Sequence, residues 1–270
     1  WRVRNPSLAK HASSWSMSLH ETTLTDHIVL RLLEECAPAV SVFTFPPMLE
    51  AQTGADLELW ITDNAHHWLG LRVQCKVLSP DGYFRELHYQ QRSGQYQSDL
   101  LVETTHRVPG CLPVYLLYVG PYPHPIPLQE WRCPYCYPYY RWTFPQPCGN
   151  WWLSAYQVQR IRPRYHLSEV GYHMEPWHCI VCCPWPDPFI RRPTVRSIYA
   201  RLRETVFVGD AEVREREFGE LREPPSYVVR AREGALPEAV EELRELVSGR
   251  EMRHLVILDL GQLEGERIAR

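Results

Sequence analysis

The sequence predicts an α/β protein in which helices flank a mixed β-sheet. The stretch from Glu21 to Cys36 repeats apolar residues at helical spacing, and the stretches after it alternate or are continuously apolar, as β-strands are. A second helical pattern then separates the third predicted strand from a fourth. Helices that alternate with strands in this order pack on the faces of a sheet.

The first predicted helix carries Leu24, Ile28 and Leu32 at core spacing, and Pro38 ends it. Three strands, a helix and a fourth strand follow, separated by turn signals such as Pro-Asp-Gly. The strands are predicted at Val40 to Phe45, Ala55 to Thr62, Trp68 to Leu78 and Leu112 to Val119, and the helix at Gln95 to His106. A further helix is predicted at Trp151 to Ile161.

Composition divides the chain into three predicted parts. Residues 1–125 contain the elements from the first helix to the fourth strand and form the core. Residues 126–190 are rich in Cys, Trp, Tyr and Pro and form an extension packed on that core. Residues 191–270 are rich in Arg and Glu and form a small α/β C-terminal lobe with a last strand at His254 to Leu260. A chain of 270 residues with 44% hydrophobic content can bury such a core.

The bulk properties exclude some classes of protein. A protein that coats nucleic acid over its whole surface is strongly basic, and a net charge of -3 excludes that class while leaving room for a local groove. No apolar run reaches the roughly 18 residues of a membrane span, and no signal peptide is recognisable. The 9 cysteines are an odd number and several lie in apolar stretches. We therefore expect a cytoplasmic protein without a membrane partner.

Polar residues alternate along the second and third predicted strands. Asp56 and Glu58 share one face of the second strand, and Gln74 and Lys76 share one face of the third. Hydrolysis of a phosphodiester needs a divalent metal held by oxygen ligands and a nearby cation that stabilises charge on the phosphate oxygens. Two neighbouring strands supply both when the ligands point the same way. The alternative is an ordinary hairpin with a solvated polar face.

The segments Gly54-Ala55-Asp56 and Val73-Gln74-Cys75-Lys76 resemble the core motif of PD-(D/E)XK nucleases, in the Asp and Gln-X-Lys form of the Mrr-like restriction-endonuclease branch. The order helix, three strands, helix and strand is similar to the core of that superfamily. This resemblance covers Glu21 to Val119. It implies a restriction-endonuclease-like core and a metal-dependent endonuclease acting on DNA, in restriction or defence. The chain also resembles prokaryotic proteins that share Trp177-His178-Cys179, a likeness that implies no activity.

The resemblance also implies roles for individual residues. Asp56, the side-chain oxygen of Gln74 and the backbone carbonyl of Cys75 would bind Mg²⁺ or Mn²⁺. Lys76 would orient the attacking water and stabilise the transition state. Glu21 would be the additional acidic ligand that many members carry.

Other positions around this site stay open. Glu50 and Glu58 compete with Glu21 for the role of the additional acid. Gln97 and Asp99, at the start of the helix after the Gln-X-Lys strand, would help to shape the phosphate-facing side. Restriction-type nucleases often cut as dimers, and a homodimer is therefore a further expectation.

The cysteines suggest a second, independent metal site. Cys133 and Cys136 have the spacing of a zinc knuckle, and Cys179 and Cys182 repeat it. Together they would form a structural four-cysteine zinc site. The alternative is that they are buried free cysteines, since Cys179 and Cys182 lie in an apolar run.

Two other functional hypotheses remain beside the endonuclease. The chain could be a catalytically inactive module of nuclease fold that binds nucleic acid or protein, because the neutral amide of Gln74 is a weaker ligand than a carboxylate. It could also be a zinc-stabilised structural or interaction protein in which the hairpin motif is coincidental.

Overall fold

The computed structural model describes residues 21–45, 55–63, 67–108, 110–120, 149–177, 180, 194–206, 223–236 and 252–262. The helices are α1 (Glu21–Cys36), α2 (Gln97–His106), α3 (Ala155–Arg160), α4 (Leu167–Val170), α5 (Val195–Val206) and α6 (Ser226–Arg232), with a short 3-10 helix at Gly171–His173. The strands are β1 (Val40–Thr44), β2 (Leu57–Thr62), β3 (Trp68–Val77), β4 (Cys111–Val119), β5 (Gly149–Ser154), β6 (Glu175–Pro176) and β7 (His254–Asp259).

The seven strands form one mixed sheet in the order β1-β7-β2-β3-β4-β5-β6. β2 and β3 are an antiparallel hairpin, whereas β3 pairs with β4 and β2 pairs with β7 in parallel. A parallel pair needs a crossover connection, and α2 lies in the crossover between β3 and β4. The predicted α/β class and the order helix, three strands, helix and strand are both confirmed.

Hydrophobic residues fill both faces of the sheet. On one face α1 and α5 pack on a core that includes Leu71, Val73 and Leu116. On the other face α2, α3 and α6 cover Trp60, Tyr115 and Leu117. Every residue of β2, and all of β3 except Val77, is buried as a result. The alternative of an ordinary hairpin with a solvated polar face is therefore excluded for these two strands.

The C-terminal strand is part of the central sheet. β7 lies between β1 and β2, and all six of its residues are buried. A continuous apolar run such as Leu255 to Leu258 is typical of a strand covered on both faces. The expectation of a separate C-terminal lobe over residues 191–270 is thus wrong for β7, because its backbone completes the core sheet. None of the described helices is long and apolar enough to cross a membrane.

The segment from Trp151 to Ile161 is only partly helical. Its first four residues belong to β5, which pairs with β4, and the helix α3 begins at Ala155. The side chain of Ser154 accepts a hydrogen bond from the backbone N–H of Gln157 at 3.1 Å and so caps the helix at that point. Pairing with β4 and burial of both tryptophans decide the conformation of the first half.

Gly70 is required where β3 passes Trp60. A Cβ at Gly70 would lie 2.8 Å from two atoms of the Trp60 ring and 3.0 Å from the Cys111 sulfur. Gly70→Ala should lower the free energy of unfolding by about 1–3 kcal/mol through overpacking, as measured by urea denaturation. Gly120→Ala is the control, because a Cβ there has no neighbour within 4 Å. Equal stability of the two variants would contradict this packing.

Candidate functional site

Two charged side chains are buried side by side in the middle of the hairpin. Glu58 and Arg72 are opposite in register and both side chains are fully buried, with Arg72 Nε 3.2 Å from Glu58 Oε1. Glu58 Oε2 also accepts hydrogen bonds from the Trp60 indole at 3.1 Å and from the Tyr227 hydroxyl. Arg72 donates to the backbone carbonyl of Thr104 at 3.1 Å. Glu58 is therefore held in this ion pair and is not the additional acid of the pocket described next.

One step along the hairpin, a pocket opens beside α2 and the start of α1. Its volume is about 320 Å³. The residues that line it are Glu21, Thr22, Asp56, Gln74, Lys76, Glu86, Tyr89 and Gln97. The four predicted catalytic residues, Glu21, Asp56, Gln74 and Lys76, therefore lie together, although α1 packs on the opposite face of the sheet from α2.

The amide nitrogen of Gln74 lies among three oxygen atoms. It is 2.6 Å from Asp56 Oδ2, 3.2 Å from Glu21 Oε1 and 3.2 Å from the carbonyl oxygen of Cys75. Its other side-chain atom, Oε1, accepts a hydrogen bond of 2.7 Å from Gln97 Nε2. Gln74 is buried, so these contacts replace hydration by water. The hairpin and the start of α1 thus gather two carboxylates and a backbone carbonyl around one point.

Asp56 is fixed by its backbone as well as by its side chain. Its N–H donates to the Val73 carbonyl at 2.8 Å, and its own carbonyl accepts from the N–H groups of Arg253 and His254 at 3.0 and 3.3 Å. Its carboxylate accepts from the Cys75 N–H at 2.6 Å. Strands β3 and β7 therefore hold Asp56 from both sides.

Helix α1 is joined to the same region by Asp26. Its carboxylate accepts from the Arg253 guanidinium at 2.7 Å and lies 2.8 Å from His254 Nε2. The other ring nitrogen of His254 is 3.1 Å from the Thr44 hydroxyl. These contacts fix α1 relative to β7 one turn beyond Glu21. The sequence shows no sign of them, because the partners are far apart in the chain.

Lys76 and Glu21 are largely buried and in contact at the edge of the pocket. Lys76 Nζ is 3.5 Å from Glu21 Oε1, with the lysine side chain 5% exposed and the glutamate side chain 22% exposed. Burial raises the pKa of Glu21 from 4.5 to about 8; the charge of Lys76 opposes the rise and that of Asp56 adds to it. A cation beside Glu21 and Asp56 would favour the ionised form of both carboxyl groups.

The side chain of Cys75 points away from this pocket. Its buried sulfur accepts a hydrogen bond of 3.3 Å from the Tyr118 hydroxyl, which in turn lies 2.8 Å from the Thr25 hydroxyl. Burial raises the pKa of the Cys75 thiol well above its ordinary value. Only the backbone carbonyl of Cys75 is therefore available to a ligand in the pocket.

The donor atoms of the pocket fit a hard divalent cation. Carboxylate, amide and carbonyl oxygens are the ligands that Mg²⁺ and Mn²⁺ prefer. Within the described part of the chain, no group of three or more His, Cys, Asp and Glu side chains could hold a metal ion. The pocket has two carboxylates, Glu21 and Asp56, so an ion there would also need Gln74 Oε1, the Cys75 carbonyl and water.

The remaining predicted residues differ in their placement. Gln97 lies in the pocket and contacts Gln74, whereas Asp99 is bound by the Arg162 guanidinium and the Gln159 amide. The predicted phosphate-facing role of Asp99 therefore has no support in its surroundings. Five other candidates lie outside the described residues: Glu50, Cys133, Cys136, Cys179 and Cys182. Thr22, Glu86 and Tyr89 line the pocket without having been predicted, since no motif marks them.

A family model covers nearly the whole chain. It is described as a family of unknown function (DUF6615) and matches residues 5–264. The chain belongs to this family. No curated protein and no solved structure matches this DUF6615 chain significantly.

The raised pKa of Glu21 makes the stability of this DUF6615 chain pH-dependent. Between pH 4.5 and about 8 the unfolded chain releases the Glu21 proton while the folded chain keeps it, so rising pH favours unfolding. We expect the stability of the metal-free wild type relative to Glu21→Gln to fall across this window. Urea denaturation in EDTA at several pH values measures the difference.

The control for this experiment is Glu34→Gln, which removes an exposed carboxylate from the same helix. A stability difference between wild type and Glu21→Gln that stays constant from pH 4.5 to 8 would show that Glu21 titrates normally in the folded protein.

Proposed function

We propose that this protein is a metal-dependent endonuclease that hydrolyses phosphodiester bonds of DNA, acting in restriction or defence. The observation that carries the proposal is the convergence of Asp56, Glu21 and the Cys75 carbonyl on one point beside the buried amine of Lys76. Burying a lysine and two carboxylates in a small pocket is costly for the fold. Such groups are commonly gathered at sites where they perform chemistry.

The resemblance of the hairpin to PD-(D/E)XK nucleases supports the same activity. The residues that carry the resemblance, Asp56, Gln74 and Lys76, lie on one face of an antiparallel hairpin, as that motif requires. Helix α1 before the hairpin, and α2 and β4 after it, follow in the order of the superfamily's core. The insertion of β7 between β1 and β2 is an addition to that order.

Each of these pocket residues would have a different role in hydrolysis. Asp56, Glu21, Gln74 Oε1 and the Cys75 carbonyl would hold Mg²⁺ or Mn²⁺. When bound, the ion supplies a Lewis acid that lowers the pKa of water and polarises the phosphate. Lys76 would donate to the phosphate oxygens, where negative charge builds up in the transition state. Glu21 keeps the amine of Lys76 at the pocket edge through their ion pair.

The charge of the pocket supports a role for a metal in the approach of the substrate. Its lining has three acidic residues, Glu21, Asp56 and Glu86, and one basic residue, Lys76. A phosphodiester carries a negative charge and would be repelled by this lining without a cation. Tyr89 is half exposed beside the pocket and offers an aromatic face to a nucleotide base.

The Cys75 side chain bears on the cellular setting, because it is a buried free thiol. Free thiols persist in a reducing compartment, so the cytoplasm, where DNA is accessible, is the proposed location. We also propose that the active form is a homodimer, since a duplex presents two strands to be cut; light scattering with and without duplex DNA tests this.

Lys76→Met tests the catalytic proposal at constant side-chain volume. The wild type should cleave plasmid or single-stranded DNA in the presence of Mg²⁺ or Mn²⁺ and lose this activity in EDTA. The variant should lose at least about 100-fold in cleavage rate, because it cannot stabilise charge on the phosphate. Gel assays of initial rates, with circular dichroism to verify folding, provide the measurement.

Arg107→Ala is the matched control, since it removes an exposed cation that pairs only with Glu103 of the same helix in the described structure. Its cleavage rate should match the wild type. Equal rates for Lys76→Met and wild type would refute the proposal. Binding of DNA without any cleavage would instead favour the inactive binding module.

A further inference from the structure

Gln97 presents an unusual combination of bonded and unbonded atoms. Its Nε2 donates a 2.7 Å hydrogen bond to Gln74 Oε1. Its Oε1 is buried and has no hydrogen-bond partner within the described structure. A buried amide oxygen without a partner costs free energy, so the present orientation of Gln97 is not fully stabilised.

The amide nitrogen of Gln74 has more acceptors nearby than it has hydrogens to donate. Its Nε2 carries two hydrogens but lies within hydrogen-bond distance of three oxygen atoms, those of Asp56, Glu21 and Cys75. Asp56 Oδ2, at 2.6 Å, would repel an oxygen atom at this position. The electropositive amide nitrogen therefore occupies a point where the surrounding atoms favour positive charge.

We propose that Gln97 is a positioning residue that allows the Gln74 amide to reverse when a divalent cation binds. With a cation among the carboxylates, Gln74 turns Oε1 toward it and Nε2 toward Gln97. Gln97 turns at the same time, so that its Oε1 accepts from Gln74 Nε2. The inference rests on the metal site of the proposed function and adds a residue to it.

The rotation of both side chains costs little free energy, because hydrogen bonds that break are replaced. The bond from Gln97 Nε2 to Gln74 Oε1 is exchanged for one from Gln74 Nε2 to Gln97 Oε1. The rotation of Gln97 breaks one hydrogen bond and forms another with donor and acceptor exchanged. No further hydrogen bond is lost, because Gln97 Oε1 has no partner within the described structure before the rotation. The three contacts of Gln74 Nε2 are replaced by binding of the same oxygens to the cation. The amide of Gln97 can donate in one state and accept in the other, whereas a carboxylate only accepts and an aliphatic side chain does neither.

Substitutions at position 97 separate these two roles. Gln97→Leu can neither donate nor accept, and it should weaken Mg²⁺ affinity about 10-fold, the effect of losing a partner that orients a ligand. Gln97→Glu only accepts, which favours the orientation of Gln74 that binds the cation, and it should keep or raise the affinity. Gln159→Leu is the matched control, since Gln159 bonds to Asp99 rather than to Gln74.

Isothermal titration of the full chain with Mg²⁺ measures these affinities, and NMR of the side-chain amide groups reports the reversal directly. In the wild type the amide resonances of both Gln74 and Gln97 should shift with Mg²⁺, while that of Gln159 stays in place. Thermal melting verifies that each variant is folded. If Gln97→Leu does not fold, Gln97→Glu and the wild-type NMR titration still decide.

The outcomes distinguish this inference from the proposed function. Wild-type affinity in Gln97→Leu, or a Gln97 resonance that does not respond to Mg²⁺, overturns the inference while the nuclease stands. A 10-fold loss in Gln97→Leu together with no cleavage of DNA supports the inference and ends the nuclease proposal. A wild type that binds no Mg²⁺ or Mn²⁺ overturns both.

Discussion

Glu58 and Arg72 face each other across β2 and β3, both fully buried, and their ion pair forms in only one register of the hairpin. A slip by one residue would turn each charge toward the other face of the sheet and leave it without its partner. Breaking such a pair costs about 3–5 kcal/mol, because an uncompensated charge remains buried. The register that satisfies Glu58 and Arg72 also brings Asp56 beside Gln74. The structural pair therefore determines the geometry of the neighbouring pocket.

The pocket also depends on parts of the chain far from the hairpin. Backbone N–H groups of β7 bind the carbonyl of Asp56, and Asp26 joins α1 to Arg253 and His254. Glu21 reaches Gln74 and Lys76 from the same helix. The positions of Glu21, Asp56 and Gln74 are thus fixed by backbone hydrogen bonds and ion pairs on rigid elements, which is the arrangement that a preorganised site needs. Burial of these charges destabilises the fold, and only the contacts between them offset that cost.

Local patterns in the sequence predicted most of the core and most of the site. Alternation along the strand put Gln74 and Lys76 on one face, and helical period located α1. The association of Glu21 with them came from the resemblance to PD-(D/E)XK nucleases, and Glu21 does line the same pocket. The place of β7 was missed, because parallel pairing between distant segments leaves no local signal. The choice between a buried and a solvated polar face could not be made from the strands themselves, since α2 and α6 cover that face only after folding. Gln97 was placed near the site, but its bond to Gln74 depends on side-chain rotamers that no spacing reveals.

The central position of β7 has a consequence for how the protein is made. A ribosome completes β1 and β2 long before it reaches His254, so the growing chain has a gap in its sheet with two unpaired strand edges. Such edges invite pairing with other chains. A chain synthesised only as far as residue 252 lacks the backbone contacts that hold the carbonyl of Asp56, so the pocket is assembled only after β7 has been made.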